Sequence, residues 1–377
     1  MQKNMERKKY LGGITPKQFL KKYWQKIPYL IRDAIAPKAW SINLDELIKI
    51  SQHPMCTTRL ILKNGEEYDV QHGPVNKKII SSLPKNNWTF LVQGANHANV
   101  HIDSLLNRFS FLPFARLDDV MVSYAAPGGG VGPHFDSYDV FLLQGTGKRR
   151  WHVSTADNRE LLPEQELKLL KNFQAEGTCD VSLGDMLYIP PDCGHHGIAI
   201  DPCLTYSIGF RSPNYELLKT EFLHFLDESI TLSGLYSDEA RSETKSPGQI
   251  PRDMLTNVCK TLSKIRWSQS DIDRFLGEFL SRNDVLDELH RPPPLTEKLF
   301  IKNLKQKKYQ LHPAVRCLYS NNRGYIAGEM VCPTKNEYPI FRKIADTRTI
   351  IGAMIPPYGQ LSRFIYHWYT EGFLIDD

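Results

Sequence analysis

The chain has 377 residues, which at roughly 150 residues per domain allows two or three folded units; its 41% apolar and 24% charged residues are those of an ordinary globular protein, excluding a small disulfide scaffold or a largely disordered chain. Lys and Arg number 47 against 42 Asp and Glu, and the net +5 is too diffuse to argue by itself for nucleic acid or an anionic membrane. Seven scattered cysteines without a C-x-x-C pair argue against a disulfide framework or zinc knuckle and fit a reducing compartment; a charged start, MQKNMERKKY, and no run of ~18 apolar residues disfavour secretion and membrane insertion, so a cytoplasmic protein is expected.

Thr15-Pro16-Lys17-Gln18 combines an N-cap hydroxyl, a proline at the first helical position and a glutamine at N3, followed by Phe19, Leu20, Tyr23 and Trp24 on one face; the pattern predicts a short amphipathic helix. Asn43 and Glu46 form a second capping box ahead of Leu47 and Ile48. From about Leu117 to Arg211 the texture changes to short runs rich in β-formers, punctuated by Gly and Pro: DDVMVSYAA, DVFLLQG, KRRWHVS, DVSLGDMLYIP and CLTYSIGFR. Turn signals every ~8–12 residues predict a jelly roll rather than a βαβ sheet, with one helical excursion near Glu164 to Phe173. After Arg211 the segments NYELLKTEFLHFLDE, RDMLTNVCKTLSKI and QSDIDRFLGEFLSR return to three- and four-residue apolar spacing and predict helices. Residues 211–290 carry ten basic and fourteen acidic side chains, a net −4. Arg291-Pro292-Pro293-Pro294 cannot continue a helix and marks a boundary. Residues 291–377 carry thirteen basic and seven acidic residues, a net +6, with mixed signals such as GYIAGEMV and an aromatic patch at Tyr366, Trp368, Tyr369 and Phe373. Residues 1–210, 211–290 and 291–377 are the expected units.

The sharpest chemical feature is Gly132-Pro133-His134-Phe135-Asp136, between two predicted strands and after the run Gly128-Gly129-Gly130. In extended backbone, residues i and i+2 face the same way, so His134 and Asp136 can converge on one point. A surface turn gives the same H-x-D pattern, and the reading gains weight from its company. GDMLYIPPDCGHHGIAI supplies a later histidine, His195 or His196. Two histidines and one carboxylate with open positions suit non-haem Fe(II) and O2 chemistry. Arg149 lies on Lys148-Arg149-Arg150-Trp151, where alternation turns it away from its basic neighbours. Facing inward it requires an anion, and the distal carboxylate of 2-oxoglutarate satisfies a guanidinium fork; on a solvated edge strand it requires nothing. Cys193 is expected to be a small buried thiol, Asp139 a turn or strand-start residue, His97 and His101 ordinary polar positions, and His152 to lie outside the pocket.

The run VSYAAPGGGVGPHFDSYDVFLLQGTGKRRWHV, followed by GDMLYIPPDCGHHG, resembles the Jumonji-C ribosomal oxygenases, most closely the bacterial ribosomal protein arginine hydroxylases. The resemblance is densest over residues 117–211 and extends in outline to most of the chain. It implies a mainly β catalytic core, a double-stranded β-helix or jelly roll of cupin type with flanking helices, followed by a helical dimerisation unit and a winged-helix-like C-terminal module. It implies His134, Asp136 and His195 as Fe(II) ligands, with Arg149 on the C5 carboxylate of 2-oxoglutarate and Ser123 as a hydroxyl contact to the same cosubstrate. Members commonly show histidine then glutamate at the third-ligand position; here His195-His196 departs from that pattern, and the position after Pro190-Pro191 favours His195. The implied reaction is O2-dependent hydroxylation of an arginine β-carbon on a large-subunit ribosomal protein, protein sixteen, by a homodimer. A positively charged ribosomal substrate argues for acidic patches at the barrel mouth. Direct nucleic-acid binding is not expected, because the basic residues of the last module are dispersed. The rival readings are a histidine hydroxylase of a ribosomal protein, a cupin metalloenzyme acting on a small molecule, and a non-catalytic ribosome-binding protein.

Overall fold

A computed structural model describes residues 11–36, 40–156, 159–239 and 241–376; the charged amino-terminal decapeptide lies outside them. Thr15 Oγ1 accepts from the Gln18 N–H while Gln18 Oε1 accepts from the Thr15 N–H at 2.8 Å, opening helix α1 (Pro16–Lys22). Asn43 and Glu46 open α2 (Leu44–Ile50) the same way. Each box satisfies backbone donors that the first helical turn leaves bare. The rest of the first 116 residues is not simply helical. Strands β1 (Tyr29–Ile31), β2 (Thr57–Asn64), β3 (Glu67–His72) and β4 (Trp88–Gln93) form there, with short helices α3 (Lys77–Ser81) and α4 (Val100–Asp103). The two-residue loop Gly65-Glu66 joins β2 to β3, with Gly65 at φ +66°, a backbone state in which glycine has no Cβ penalty.

The catalytic-region strands follow as β5 (Leu117–Ala125), β6 (Val140–Thr146), β7 (Arg149–Ser154), β8 (Gly177–Val181), β9 (Met186–Ile189), β10 (Gly194–Ala199) and β11 (Cys203–Phe210). They build an eight-stranded antiparallel sheet in the order β1-β9-β6-β11-β5-β4-β2-β3, faced by a three-stranded sheet β10-β7-β8. This is the β-sandwiched core expected of a cupin-type jelly roll. Side chains alternate across the large sheet with period two. Phe90, Val122, Phe141, Leu143, Tyr206 and Ile208 turn toward the helices and pack with Phe19 and Leu47. Val140, Leu142, Leu187 and Ile189 turn the other way and pack with Trp151 and Val181 of the smaller sheet. The cleft between the sheets is therefore lined by alternate residues of every strand that borders it.

The predicted helix near Glu164 to Phe173 does not form. Leu161 and Leu170 make an isolated antiparallel bridge, and the Leu170 N–H donates to the Pro133 carbonyl at 2.8 Å. Leu169 and Leu170 are buried against the H-x-D segment instead of sharing a helix face, so docking of the leucines overrides their spacing.

Beyond β11 come α5 (Tyr215–Ser229), α6 (Arg252–Leu262) and α7 (Gln269–Ser281), and then α8 (Glu297–Leu304), β12 (Lys308–Leu311), β13 (Cys317–Ser320), β14 (Arg323–Ile326), β15 (Glu329–Val331), α9 (Tyr338–Thr347), β16 (Thr349–Ile351), α10 (Gln360–Thr370) and β17 (Leu374–Asp376). The last part has its own core, with Phe300, Phe341, Leu361, Ile365 and Trp368, and Met55 from the amino-terminal half packs into it. No helix among the described residues is long and apolar enough to cross a membrane.

Asp139 does precede a strand, but it is fully buried and serves as a hub. Its carboxylate accepts from Tyr188 Oη at 2.6 Å, Gln25 Nε2 at 3.0 Å and Arg116 Nη2 at 3.2 Å. Burial alone would raise its pKa, and these donors oppose that rise. Removing one partner from such a network leaves an uncompensated buried group. Tyr188→Phe is expected to destabilise the protein by about 1.5–3 kcal/mol, and Asp139→Ala by about 3–5 kcal/mol, read from urea unfolding midpoints; an Asp139→Ala midpoint equal to wild type would remove the hub from the account.

Candidate active site

The loop after β5 reaches the cleft through Gly132, whose φ is +76°. A Cβ there would lie 2.5 Å from Leu169 Cδ2 and 3.1 Å from the Tyr68 ring, so the turn requires glycine. Two residues on, the His134 N–H donates to the His195 carbonyl at 3.0 Å, and the His195 N–H donates back at 2.7 Å. This bridge sets the two imidazoles side by side, with ring centroids 4.2 Å apart. Asp136 follows with the same parity as His134, and its Oδ2 lies 3.7 Å from His195 Nε2. One ligand atom from each of His134, Asp136 and His195 lies within 4.8 Å of the others.

The histidine protons are assigned by local carbonyls. His134 Nδ1 is 3.0 Å from the Gly132 oxygen and His195 Nδ1 is 3.0 Å from the Cys193 oxygen. A carbonyl only accepts, so each Nδ1 carries the hydrogen and each Nε2 presents a lone pair. Burial, with help from the neighbouring His134, pushes the His195 pKa down to about 4, which keeps that ring neutral near pH 7. His196 is on the opposite face of β10, with its ring near His152 and Phe173; His152 accompanies it there and shares a hydrogen bond with Thr178 Oγ1 at 2.9 Å. The structure thus brings His195, and not His196, to His134 and Asp136. Cys193 is buried, with its thiol donating to the Ser154 carbonyl at 3.3 Å.

Deeper in the cleft, Arg149 projects from β7 and Ser123 from β5. Arg149 is buried, and its Nη1 donates to Ser123 Oγ at 3.3 Å, while Ser123 Oγ donates to the Thr205 carbonyl at 3.4 Å. Arg149 Nε and Nη2 have no hydrogen-bond partner among the described residues, although both atoms are buried. Those two atoms form the side-on edge of the guanidinium that pairs two-point with a carboxylate. An uncompensated buried cation is costly, so the edge fits an anionic group arriving from outside. Arg149, Ser123 and the three ligand-type side chains line one cavity of about 180 Å³. A larger cavity, about 430 Å³, lies between α7 and β13–β14, but its lining has no histidine and no unpartnered buried cation among the described residues.

Two acidic residues of the cavity were not singled out in the sequence, although acidic groups were expected at the mouth. Asp118 and Asp119 stand at the start of β5 and line the same cavity, near Gln93 and Tyr138. Asp119 Oδ2 accepts from Gln93 Nε2 at 2.7 Å and from the Gly94 N–H at 2.8 Å; burial and the charge of Asp118 push its pKa up to about 6. The available signal was parity, since Asp119, Met121 and Ser123 occupy alternate positions of one strand. His97 also departs from expectation: it is buried and pushed down to about 4 by burial and the nearby Arg316, because the C-terminal part packs over it. His101 is exposed.

Comparison with known proteins agrees with this geometry. Residues 104–218 match the JmjC domain family. The ribosomal protein uL16 3-hydroxylase of Escherichia coli is 31% identical over 316 residues, an alignment that covers 83% of this chain and 84% of that protein. The X-ray structure of E. coli YcfD superposes with a TM-score of 0.83 at 27% identity, covering 97% of this chain and 98% of that one. A second structure of YcfD, a ribosomal oxygenase, in complex with cobalt and 2-oxoglutarate, superposes with a TM-score of 0.80 at 27% identity and the same coverage. The chain belongs to the JmjC ribosomal oxygenases, Fe(II)- and 2-oxoglutarate-dependent enzymes.

Proposed function

We propose that this protein hydroxylates the β-carbon of an arginine on a large-subunit ribosomal protein, with uL16 as its substrate. The observation that carries the reading is a single cleft that joins two histidines and a carboxylate, poised at one point, to a buried arginine whose side-on edge is unpaired among the described residues. His134, Asp136 and His195 would hold Fe(II). Arg149, steadied by Ser123, would hold the distal carboxylate of 2-oxoglutarate, and the Ser123 hydroxyl would contact it as well. Bound iron, with 2-oxoglutarate and O2, supplies the oxidising power to insert one oxygen atom into an unactivated C–H bond, leaving succinate and CO2.

The chain's own residues supply position and dryness. Val140, Leu142 and Trp151 wall the cleft with apolar surface, and the Nδ1 contacts hold both imidazoles before anything binds. The acidic end at Asp118 and Asp119 suits a guanidinium, which is always charged; it favours arginine over histidine as the target. A small-molecule cupin reaction has no need of the buried Arg149 edge, and a purely ribosome-binding protein has no need of the cleft. The same reading divides the chain into a catalytic unit (1–210), a helical dimerisation unit (211–290) and a winged-helix-like unit (291–377) in a cytoplasmic homodimer. Support for dimerisation comes from α6, which buries none of its residues while exposing Leu255, Val258 and Leu262, an apolar stripe that a monomer leaves in water.

Intact-mass analysis of ribosomal proteins from cells with and without the chain tests the function. A gain of one oxygen mass on uL16, mapped to an arginine, is expected with wild type and with His196→Ala. It is expected to vanish with His134→Ala, Asp136→Ala or His195→Ala, together with the metal content of the purified protein; an unmodified uL16 in wild-type cells would exclude the assigned substrate. Arg149→Ala is expected to raise the KM for 2-oxoglutarate by about 10² or more, since breaking a buried charge pair costs about 3–5 kcal/mol, and Ser123→Ala by about fivefold, the worth of one hydrogen bond near 1 kcal/mol; steady-state succinate formation reads both. Sedimentation is expected to show a dimer for wild type and a monomer for the double variant Leu255→Asp, Leu262→Asp, and a monomeric wild type removes dimerisation from the reading.

A further inference from the structure

Asp118 is held by two arginines from outside its own strand. Arg211, just after β11, donates Nε to Asp118 Oδ1 at 3.0 Å and its two Nη groups to the carbonyls of Leu280 and Arg282 at the end of α7. Arg316, immediately before β13, donates Nη2 to the same Oδ1 at 3.0 Å and to the Asp118 carbonyl at 3.3 Å, while its Nη1 donates to the Arg282 carbonyl at 2.7 Å. One guanidinium therefore ties the rim of the catalytic cleft, the end of a helix and the C-terminal part of the chain to one another. Arg316 is buried, and a buried fork with fixed acceptors loses little further freedom when it orders its partner. Both arginines use Oδ1, and Asp118 Oδ2 accepts no hydrogen bond from a described residue. Asp118 is among the residues that line the cavity of the ligand-type side chains.

We propose that Arg316 is a positioning residue for the protein substrate: by fixing Asp118 it presents the free carboxylate oxygen to the incoming cationic side chain, so that the C-terminal module sets substrate affinity in an active site it does not line. This rests on the reading of Asp118 and Asp119 as the end of the cleft that receives the arginine. Arg316 touches none of the residues assigned to iron or 2-oxoglutarate. Its effect is confined to binding of the polypeptide, and Asp119, backed independently by Gln93 and Gly94, does not replace the orientation that Asp118 loses.

The test is steady-state hydroxylation of a synthetic peptide spanning the target arginine, using the full-length chain with Arg316→Met, Arg316→Lys, Asp118→Asn and the double variant R316M/D118N. For R316M the peptide KM is expected to rise about tenfold, with kcat within about twofold and the KM for 2-oxoglutarate unchanged. D118N is expected to match it, and the double variant to add nothing further, as for two residues acting through one contact. R316K keeps the charge but reaches fewer of the three acceptors, and an increase of about threefold is expected. If R316M does not fold, R316K decides alone, and a wild-type peptide KM there overturns the assignment. A raised KM in D118N with none in R316M overturns the role of Arg316 while leaving the acidic end intact. An unchanged KM in both overturns the reading of the acidic end, and the role of Arg316 falls with it. A joint loss of kcat and of 2-oxoglutarate affinity in R316M marks a merely structural residue and also overturns the proposal.

Discussion

The active site depends on the alternation of side chains along strands that are buried on both faces. In β6, Phe141 and Leu143 go to the helical side and Val140 and Leu142 to the cleft; in β5, Asp119, Met121 and Ser123 go to the cleft while Val120 and Val122 do not. A one-residue slip in either strand would exchange the two sets. The paired backbone hydrogen bonds between His134 and His195 pin the register at the point where a slip would do most harm, because they join the loop after β5 to β10 on the other sheet. Gly132 makes the approach possible, and Leu169 of the β7–β8 connection closes over it. Geometry at the three ligand side chains is in this way a property of two whole sheets.

The interior charges divide into two kinds. Asp139 is satisfied by three side-chain donors and belongs to the architecture, tying the turn after α1 and strand β9 to the start of β6 through Gln25 and Tyr188. Arg149 is left with an open edge, which in a protein interior is an unstable arrangement unless something completes it. Satisfied charge marks scaffold, and incompletely satisfied charge marks a binding site. The Asp118 carboxylate lies between the two, with one oxygen committed to arginines and the other available.

What could be read directly from residue order was whatever depends on parity and local signals. His134 with Asp136, the inward Arg149 and the two capping boxes all follow from spacings of two, three or four residues. The choice of His195 over His196 also reduces to parity once the bridge to His134 is known, and that bridge is a long-range pairing invisible in the local pattern. The hairpin of β2 and β3 was missed because its strands are half exposed and polar on one face, so that the glycine at position 65 was the main clue. The leucines near Leu169 carried a helical spacing, but docking against Gly132 and Gly194 decided their conformation. Burial of His97 and Asp139 arises from elements far away in the chain, as does the meeting of Arg316 with Asp118, separated by 198 positions.

The open edge of Arg149 has an implication for turnover. A guanidinium edge recognises a carboxylate and is indifferent to what lies beyond it; 2-oxoglutarate and succinate both end in that group. The coproduct would therefore keep this anchor after the C1 carboxylate has left as CO2. Ambient dicarboxylates of similar length would compete for the same edge. On the proposed assignment of Arg149, the cell's ratio of 2-oxoglutarate to succinate would become an input to the enzyme.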